Sequence, residues 1–154
     1  MSRRLTAAPR RERAAAAVEM AIVLPLLLLI VGGIIDFGRF FYTQNMVVNA
    51  AREGARSRAL GYTTADADTR VGQSLIGYQG STYTTTYSLV QGATNVVTAN
   101  GNCPTSSPAP LDRARARVSV TGFTYMVLGP ASRLFGGALT PPTPVGTAEV
   151  RCGG

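Results

Sequence analysis

The chain has 154 residues, of which 45% are hydrophobic and 15% are charged, and its formal net charge is +7. This length accommodates one ordinary domain, or a short anchor with one small domain, and the apolar content excludes a disordered chain. Because all 15 basic residues are arginine and histidine is absent, a zinc site, a Ser-His-Asp triad and a Cys-His nucleophile are disfavoured, and we expect neither an enzyme nor a cofactor.

The front of the chain combines a basic block with a long apolar run. Residues 1–13 carry a net charge of +4. The run that follows, from Ala14 to Ile35, reads AAAAVEMAIVLPLLLLIVGGII and contains one ionisable residue, Glu19. As a helix, its 22 residues would extend about 33 Å, enough to cross the hydrocarbon core of a bilayer. The sequence therefore predicts one membrane-spanning helix and a lipid bilayer as a partner.

The arginines before this run predict its orientation. Positive segments stay in the cytoplasm, so residues from Asp36 onward should be exported. Nucleic-acid binding is the alternative reading of the arginines, but no aromatic residue is interleaved among them. A cleaved secretory signal is the other alternative, but its apolar core would be shorter and would end in a small-x-small site. We favour a signal anchor and expect no nucleic-acid partner.

The helix is predicted to continue beyond the membrane. Residues 36–60 contain no proline, carry apolar residues at helical spacings, and end before Gly61, which is a plausible C-terminal cap. Pro25, Gly32 and Gly33 weaken a helix, so we expect a kink or local loosening there, with the kink at Pro25.

The remainder reads as a small α+β head. Thr64 or Asp66 can cap a short helix to about Ile76. Period-two alternation predicts a sheet of three or four antiparallel strands, and the segments are Thr82–Val90, Asn95–Ala99, Arg113–Thr121 and Val145–Cys152. Residues 128–138 form an apolar, glycine-rich connection that can contain a helical turn. The predicted fold class is α+β, with a long N-terminal pilin-like helix packed against a small antiparallel sheet.

Three arginines alternate along the third strand, at positions 113, 115 and 117. They are compatible with an anion-binding ladder or with a solvated sheet face, and we favour the solvated face. Glu149 on a neighbouring strand would offset part of their repulsion.

The two cysteines, Cys103 and Cys152, both lie in the part that is predicted to be exported. Two thiols in a small exported domain favour a disulfide. Closing this loop would contribute about 4 kcal/mol in the chain-entropy description. Two unpaired thiols are the alternative.

Glu19 is the residue whose position most needs an explanation. A carboxylate in a spanning segment costs about 2.5–3.5 kcal/mol at mid-bilayer and less near the interface. A functional partner would explain it, but so would snorkelling or contact with Arg13, since Glu19 lies near the cytoplasmic end of the run.

The segment Ala14–Arg56 resembles the N-terminal signature of the TadE-like proteins, which are minor pilins (pseudopilins) of the tight-adherence, or Flp, pilus system. The resemblance rests on ordered matches. These are Val18-Glu19 followed by an aliphatic run, Pro25 inside the run, Asp36-Phe37-Gly38-Arg39, Gln44, and the run from Ala50 to Arg56, AAREGAR.

The resemblance implies processing by a membrane prepilin peptidase on the cytoplasmic side. It places Glu19 at the fifth mature residue, which puts the scissile bond between Ala14 and Ala15, where family members often have glycine before the cut. The resemblance further implies that Glu19 meets the new N-terminus of a neighbouring subunit during assembly. The implied partners are the peptidase, other pilins and minor pilins, and the inner-membrane assembly platform.

The predicted organisation is a cytoplasmic leader of residues 1–14, a transmembrane helix of residues 15–35, its extracytoplasmic continuation over residues 36–60, and an extracytoplasmic head of residues 61–154. The predicted protein is a single-pass membrane protein that can enter a surface pilus. The competing hypothesis is a membrane-tethered extracytoplasmic binding module that has no part in a pilus.

Overall fold

The computed structural model describes residues 10–77, 82–92, 96–104 and 111–153. Its helices are α1 (Arg10–Ala59), α2 (Thr64–Ser74) and α3 (Leu128–Leu134), and its strands are β1 (Tyr83–Gln91), β2 (Val96–Ala99), β3 (Arg113–Val120) and β4 (Val145–Arg151). A long N-terminal helix with a small antiparallel sheet confirms the predicted α+β class.

The chain divides into two compact units. One contains α1 up to Phe37 together with Tyr125–Leu139, and the other contains Gly38–Thr124 together with Thr140–Gly154. The second unit therefore holds the last part of α1, α2 and the whole sheet. The segment that carries α3 belongs with the apolar part of α1.

Helix α1 begins earlier than the sequence predicted. It starts at Arg10 rather than near Ala15, because arginine and the alanines that follow are strong helix formers. The helix runs through Pro25, Gly32 and Gly33 without interruption. The kink expected at Pro25 stays a prediction.

The end of α1 follows the sequence closely. Gly61 has a φ of +83°, its amide donates to the Arg58 carbonyl at 3.1 Å, and the Tyr62 amide donates to the Ser57 carbonyl at 3.2 Å. This pair of bonds is a Schellman cap, which needs a residue that adopts positive φ without strain. The predicted glycine cap is confirmed.

Helix α2 is capped by a residue that the sequence analysis did not choose. Thr63 is the N-cap, and its hydroxyl accepts from the Asp66 amide while the Asp66 carboxylate accepts from the Thr63 amide. This reciprocal arrangement is a capping box. The prediction of Thr64 or Asp66 as the N-cap was therefore wrong. Asp66 instead provides the carboxylate of the capping box at position N3.

The sheet has four antiparallel strands in the order β2-β1-β3-β4. In β3 the alanines and valines at positions 114, 116, 118 and 120 are buried, as the period-two pattern predicted. On the other face Arg115 lies opposite Glu149 in β4. The Arg115 guanidinium contacts this carboxylate at 2.6 Å, and Arg113 reaches it at 3.3 Å, so that Glu149 offsets the arginine ladder as expected.

The core of the second unit lies between the sheet and the last part of α1. Val47, Ala50 and Ala51 of α1 pack in one cluster with Val118 and Val120 of β3. Small residues allow this close approach: a Cβ added at Gly54 would lie 2.9 Å from Val71 Cγ2 and 3.3 Å from Ala116 Cβ. The small residues of the AAREGAR run therefore serve packing within the head.

Gly146 of β4 lies directly against the backbone of α1. A Cβ at this position would lie 2.6 Å from the Val47 carbonyl carbon and 2.8 Å from Val48 Cα. Backbone atoms of a helix cannot move aside as a flexible side chain can. The strand can lie this close to the helix only because residue 146 has no side chain.

We predict that Gly146→Ala lowers the free energy of unfolding of the head by about 1–3 kcal/mol, the usual cost of overpacking. Urea unfolding of the detergent-solubilised chain, followed by circular dichroism of the sheet, measures the change. Gly38→Ala is the matched control, since a Cβ at Gly38 meets nothing within 4 Å and the substitution should be neutral or stabilising. Equal stabilities for the two variants would contradict the packing described here.

Candidate functional site

The apolar part of α1 is exposed along its length. Every large apolar side chain between Val18 and Ile35 is 40–72% exposed, and α1 is the one helix of the described residues that is long and apolar enough to cross a membrane. Side chains of this kind are stable when lipid covers them. The helix is therefore suited to single-pass anchoring.

The two residues of the predicted cleavage site lie near the start of α1. Ala14 and Ala15 are both helical and exposed. A protease would have to open the first turns of the helix to reach the bond between them, and helix ends open at the lowest free energy. Cleavage itself stays a prediction.

Glu19 lies one helical turn beyond Ala15, on the same face of α1. Its side chain is exposed and makes no hydrogen bond or ion pair with the residues that the structure describes. The alternative partner, Arg13, has a side chain outside the described part, so that contact stays a prediction. Glu19 is thus a carboxylate in an apolar helix, available to a partner from outside the described chain.

Asp36 directly follows the apolar run. Unlike the exposed Glu19, it is fully buried. Its Oδ1 accepts from the Met126 amide at 2.8 Å, and its Oδ2 accepts from the amides of Val127 at 2.9 Å and Leu128 at 2.8 Å. Three consecutive backbone donors therefore converge on one carboxylate. Hydrogen bonds of this charge-assisted type are about twice as strong as neutral ones.

This carboxylate serves as the cap of α3. The helix begins at Leu128, and its N-cap residue, Val127, supplies no side-chain acceptor. The first amides of a helix have no partner within the helix and favour a negative charge. Asp36 supplies both the acceptor and the charge from α1, which ties residues 126–128 to the end of the apolar run.

Packing at Gly32 and Gly33 also holds residues 126–128 against α1. A Cβ at Gly32 would collide with the Val127 side chain, and one at Gly33 would lie 3.9 Å from Leu128 Cδ2. The rings of Phe37 and Tyr125 are 6.3 Å apart between centroids. The expected role of these glycines was to loosen the helix, whereas Gly32 also provides the space in which Val127 packs.

The sequence identified Asp36 as the first residue of the region predicted to be exported and as part of a motif, but not as a helix cap. The available signal was a carboxylate at the end of an apolar run, since a charge in that place needs several donors. The donors lie about 90 residues further along the chain, and no local pattern connects them with Asp36.

The head contains a second buried ionic group. Arg58, 2% exposed, donates to the carbonyl oxygens of Tyr62, Asn100 and Gly101 at 2.8–3.2 Å, and its guanidinium lies 5.6 Å from the centroid of the Tyr87 ring. Burial lowers the pKa of Arg58, and nearby Tyr87 and Asp68 act in the opposite direction. Arg58 therefore joins the end of α1 to the loop after β2.

Asp68 completes this cluster from α2. Its Oδ1 accepts from Tyr87 Oη at 2.8 Å and from Thr85 Oγ1 at 2.5 Å. Burial raises the pKa of Tyr87, and the hydrogen bond to Asp68 and the charge of Asp68 raise it further. An open cavity of about 420 Å³ adjoins Arg58, Asp68 and Tyr87. Both terminal nitrogens of the Arg58 guanidinium and Asp68 Oδ1 are hydrogen-bonded within the head, whereas Arg58 Nε is buried without a hydrogen-bond partner among the described residues.

The two cysteines are joined. Cys103 and Cys152 form a disulfide with their Cα atoms 5.5 Å apart, and Cys103 is buried beside Leu89 and Ala114. The Cys152 amide also donates to the Asp112 carbonyl at 2.9 Å. The bond therefore fixes the loop after β2 to the end of β4. Among the described residues, no group of three or more Cys, Asp or Glu is placed to hold a metal ion.

The segment that contains Glu19 and Asp36 is similar to a known protein family. Residues 14–56 match the family described as TadE-like protein. The resemblance seen in the sequence is confirmed for this segment. No curated protein and no solved structure matches the chain. The matched segment contains Glu19, Asp36, Pro25 and the small residues that pack under the sheet, and it ends before α2.

We predict that Asp36→Ala releases the segment that carries α3. Net loss of charge-assisted hydrogen bonds should favour local opening by about 3 kcal/mol, or roughly 100-fold. Limited trypsin digestion of the chain in lipid nanodiscs measures this opening, because Arg133 lies within α3 and is exposed.

Asp66→Ala is the matched control, since it removes a carboxylate from the cap of α2 and leaves α3 untouched. Cleavage after Arg133 should accelerate in Asp36→Ala alone. The same cleavage rate in wild type and Asp36→Ala would show that the three hydrogen bonds do not hold the segment.

Proposed function

We propose that the chain is a structural minor pilin (pseudopilin) of a tight-adherence, or Flp, type IV pilus, which takes part in assembly after a prepilin peptidase removes its leader. The observation that carries the proposal is the match of residues 14–56 to the TadE-like family, which suggests a protein associated with the Tad pilus. The match falls on an exposed apolar helix with a single carboxylate inside it. The role in assembly and the processing step are our inference.

The proposed cleavage is between Ala14 and Ala15. Both side chains are small and exposed near the start of α1, which suits a narrow protease cleft. Cleavage would remove a net charge of +4 and leave +3 on the side chains of the remaining chain. It would also remove the arginines that hold the N-terminus in the cytoplasm. The trimmed helix could then be withdrawn from the bilayer.

The proposed role of Glu19 is to pair with an α-amine created by cleavage. In the same chain the new amine of Ala15 lies about 6 Å from Glu19 along the helix axis, at 1.5 Å per residue. In an assembly, the amine of a neighbouring subunit can reach the carboxylate directly. Pairing offsets two charges that are costly in lipid, and it sets the axial register between subunits.

The proposed location follows from the same charges. The arginine block favours a cytoplasmic N-terminus, and the disulfide supports a head outside the cytoplasm. The partners that we propose are the prepilin peptidase, other pilins and minor pilins, and the inner-membrane assembly platform.

Co-expression with a prepilin peptidase tests the processing step. We expect intact-mass analysis of the membrane fraction to find a chain that begins at Ala15, and a catalytically inactive peptidase to leave the full-length chain. A full-length chain in cells that produce pili and an active peptidase would contradict the proposal. The tethered binding module would then be the better reading.

Substitution of Glu19 tests the assembly step. We expect Glu19→Gln and Glu19→Ala to reach the membrane but to lose most of their incorporation into the assembly complex or the pilus, measured by immunoblotting of sheared fibres and of cross-linked membrane complexes. Glu53→Gln is the matched control, because Glu53 is an exposed carboxylate of α1 outside the apolar run. Incorporation of all three variants at the wild-type level would exclude the proposed role of Glu19.

A further inference from the structure

The segment Tyr125–Leu139 belongs to the same compact unit as the apolar part of α1. Its first residues are held there by the Asp36 carboxylate and by the packing of Val127 at Gly32. The segment therefore has a fixed position on the helix rather than extending freely into solvent.

The attachment point lies at the outer end of the predicted membrane span. Gly32 and Gly33 fall inside the apolar run, and Gly32 lies about 6 Å from Asp36 along the axis at 1.5 Å per residue. The neighbouring side chains of Ile34 and Ile35 are 68% and 49% exposed. If lipid covers these isoleucines, it reaches the level at which Val127 and Leu128 contact the helix.

The segment itself presents an apolar surface. Leu134 is 85% exposed, Phe135 83%, Met126 68% and Leu139 56%. Arg133 is the one charged residue between positions 125 and 139. A cluster of large apolar side chains with one cation is unusual on a surface that faces water and is typical of an element at a lipid interface.

The polar groups of the segment are largely satisfied within it. The amides of Phe135 and Gly137 donate to the Ser132 carbonyl at 3.2 and 2.8 Å, and the Gly136 amide donates to the Arg133 carbonyl at 3.1 Å. Ser132 Oγ donates to the Gly129 carbonyl and accepts from the Leu139 amide. Such internal pairing is what backbone groups need where water is scarce.

We propose that residues 125–139 form a second membrane-contacting element, which inserts the side chains of Met126, Leu134, Phe135 and Leu139 into the outer interfacial layer of the bilayer. The occupant of this surface is lipid, because the segment is attached to the spanning helix at Gly32 and Gly33, which directly precede the exposed isoleucines 34 and 35 in α1. Arg133 lies at the depth of the phosphate groups, as a basic residue beside an apolar interfacial helix does. The proposal requires insertion of α1 in a membrane and is independent of any role in a pilus.

Tryptophan fluorescence tests the proposal, since the chain has no tryptophan of its own. Phe135→Trp, introduced into the full chain in phosphatidylcholine vesicles, should emit at a shorter wavelength than Ile76→Trp. Ile76 is the control because it is an apolar residue of the head with a similar exposure, 77%. Leu28→Trp, in the centre of the apolar run, provides the reference for a residue deep in the bilayer.

Quenching in vesicles of dibrominated phosphatidylcholine then measures how deep each introduced tryptophan lies in the bilayer. We expect bromines close to the headgroups to quench Phe135→Trp most strongly, bromines far down the acyl chains to quench Leu28→Trp most strongly, and neither to quench Ile76→Trp. Emission of Phe135→Trp that matches Ile76→Trp would overturn the proposal. A blue-shifted but unquenched Phe135→Trp would also overturn it, because a protein surface, such as a second copy of the chain, would then cover the patch.

Discussion

The apolar surface of α1 is the constraint on which the rest of the molecule depends. Between Val18 and Ile35 the large apolar side chains are at least 40% exposed, and burial of such side chains is worth about 1.5–3 kcal/mol each. A run of this length has to be covered by lipid or by other subunits. A polar group in or beside the run therefore costs free energy unless a hydrogen-bonding or ionic partner satisfies it.

Glu19 within the run and Asp36 directly after it differ in whether the chain itself supplies that partner. Asp36 is buried and accepts three backbone hydrogen bonds from residues 126–128. Its charge is thus satisfied within the chain, and it organises the segment that follows β3. Glu19 is exposed, and among the described residues nothing is bonded to it. The contrast is the structural reason to look for the partner of Glu19 in another molecule, as the proposed assembly does.

The sequence predicted those features that arise from local patterns. The alternation of β3 identified its buried face, Gly61 identified the end of α1, and the two cysteines in the segment predicted to be exported indicated their bond. The N-cap of α2 was misplaced by one residue, because Thr63, Thr64 and Asp66 all have side chains that can cap a helix and the local spacing does not choose among them.

The features that the sequence did not predict depend on contacts between distant segments. Asp36 meets amides about 90 residues away, and Gly146 meets the backbone of Val47. Arg58, in the last turn of α1, is buried against the loop after β2. Each of these positions is determined by the packing of one element on another, for which a single sequence has no periodic signal.

Site-directed spin labelling along α1 in a bilayer tests the central claim most directly. Single labels at successive positions from Val18 to Thr43 would be compared for collisions with oxygen, which concentrates in lipid, and with a water-soluble nickel complex. The account predicts high oxygen and low nickel accessibility on all faces of the helix from Val18 to Val31 and again at Ile34 and Ile35, low accessibility to both reagents at Gly32, where Val127 packs, and a rise in nickel accessibility at the exposed positions from Arg39 onward. Low accessibility to both reagents on one face between Val18 and Val31 would mean that protein rather than lipid covers the helix, and it would contradict the account.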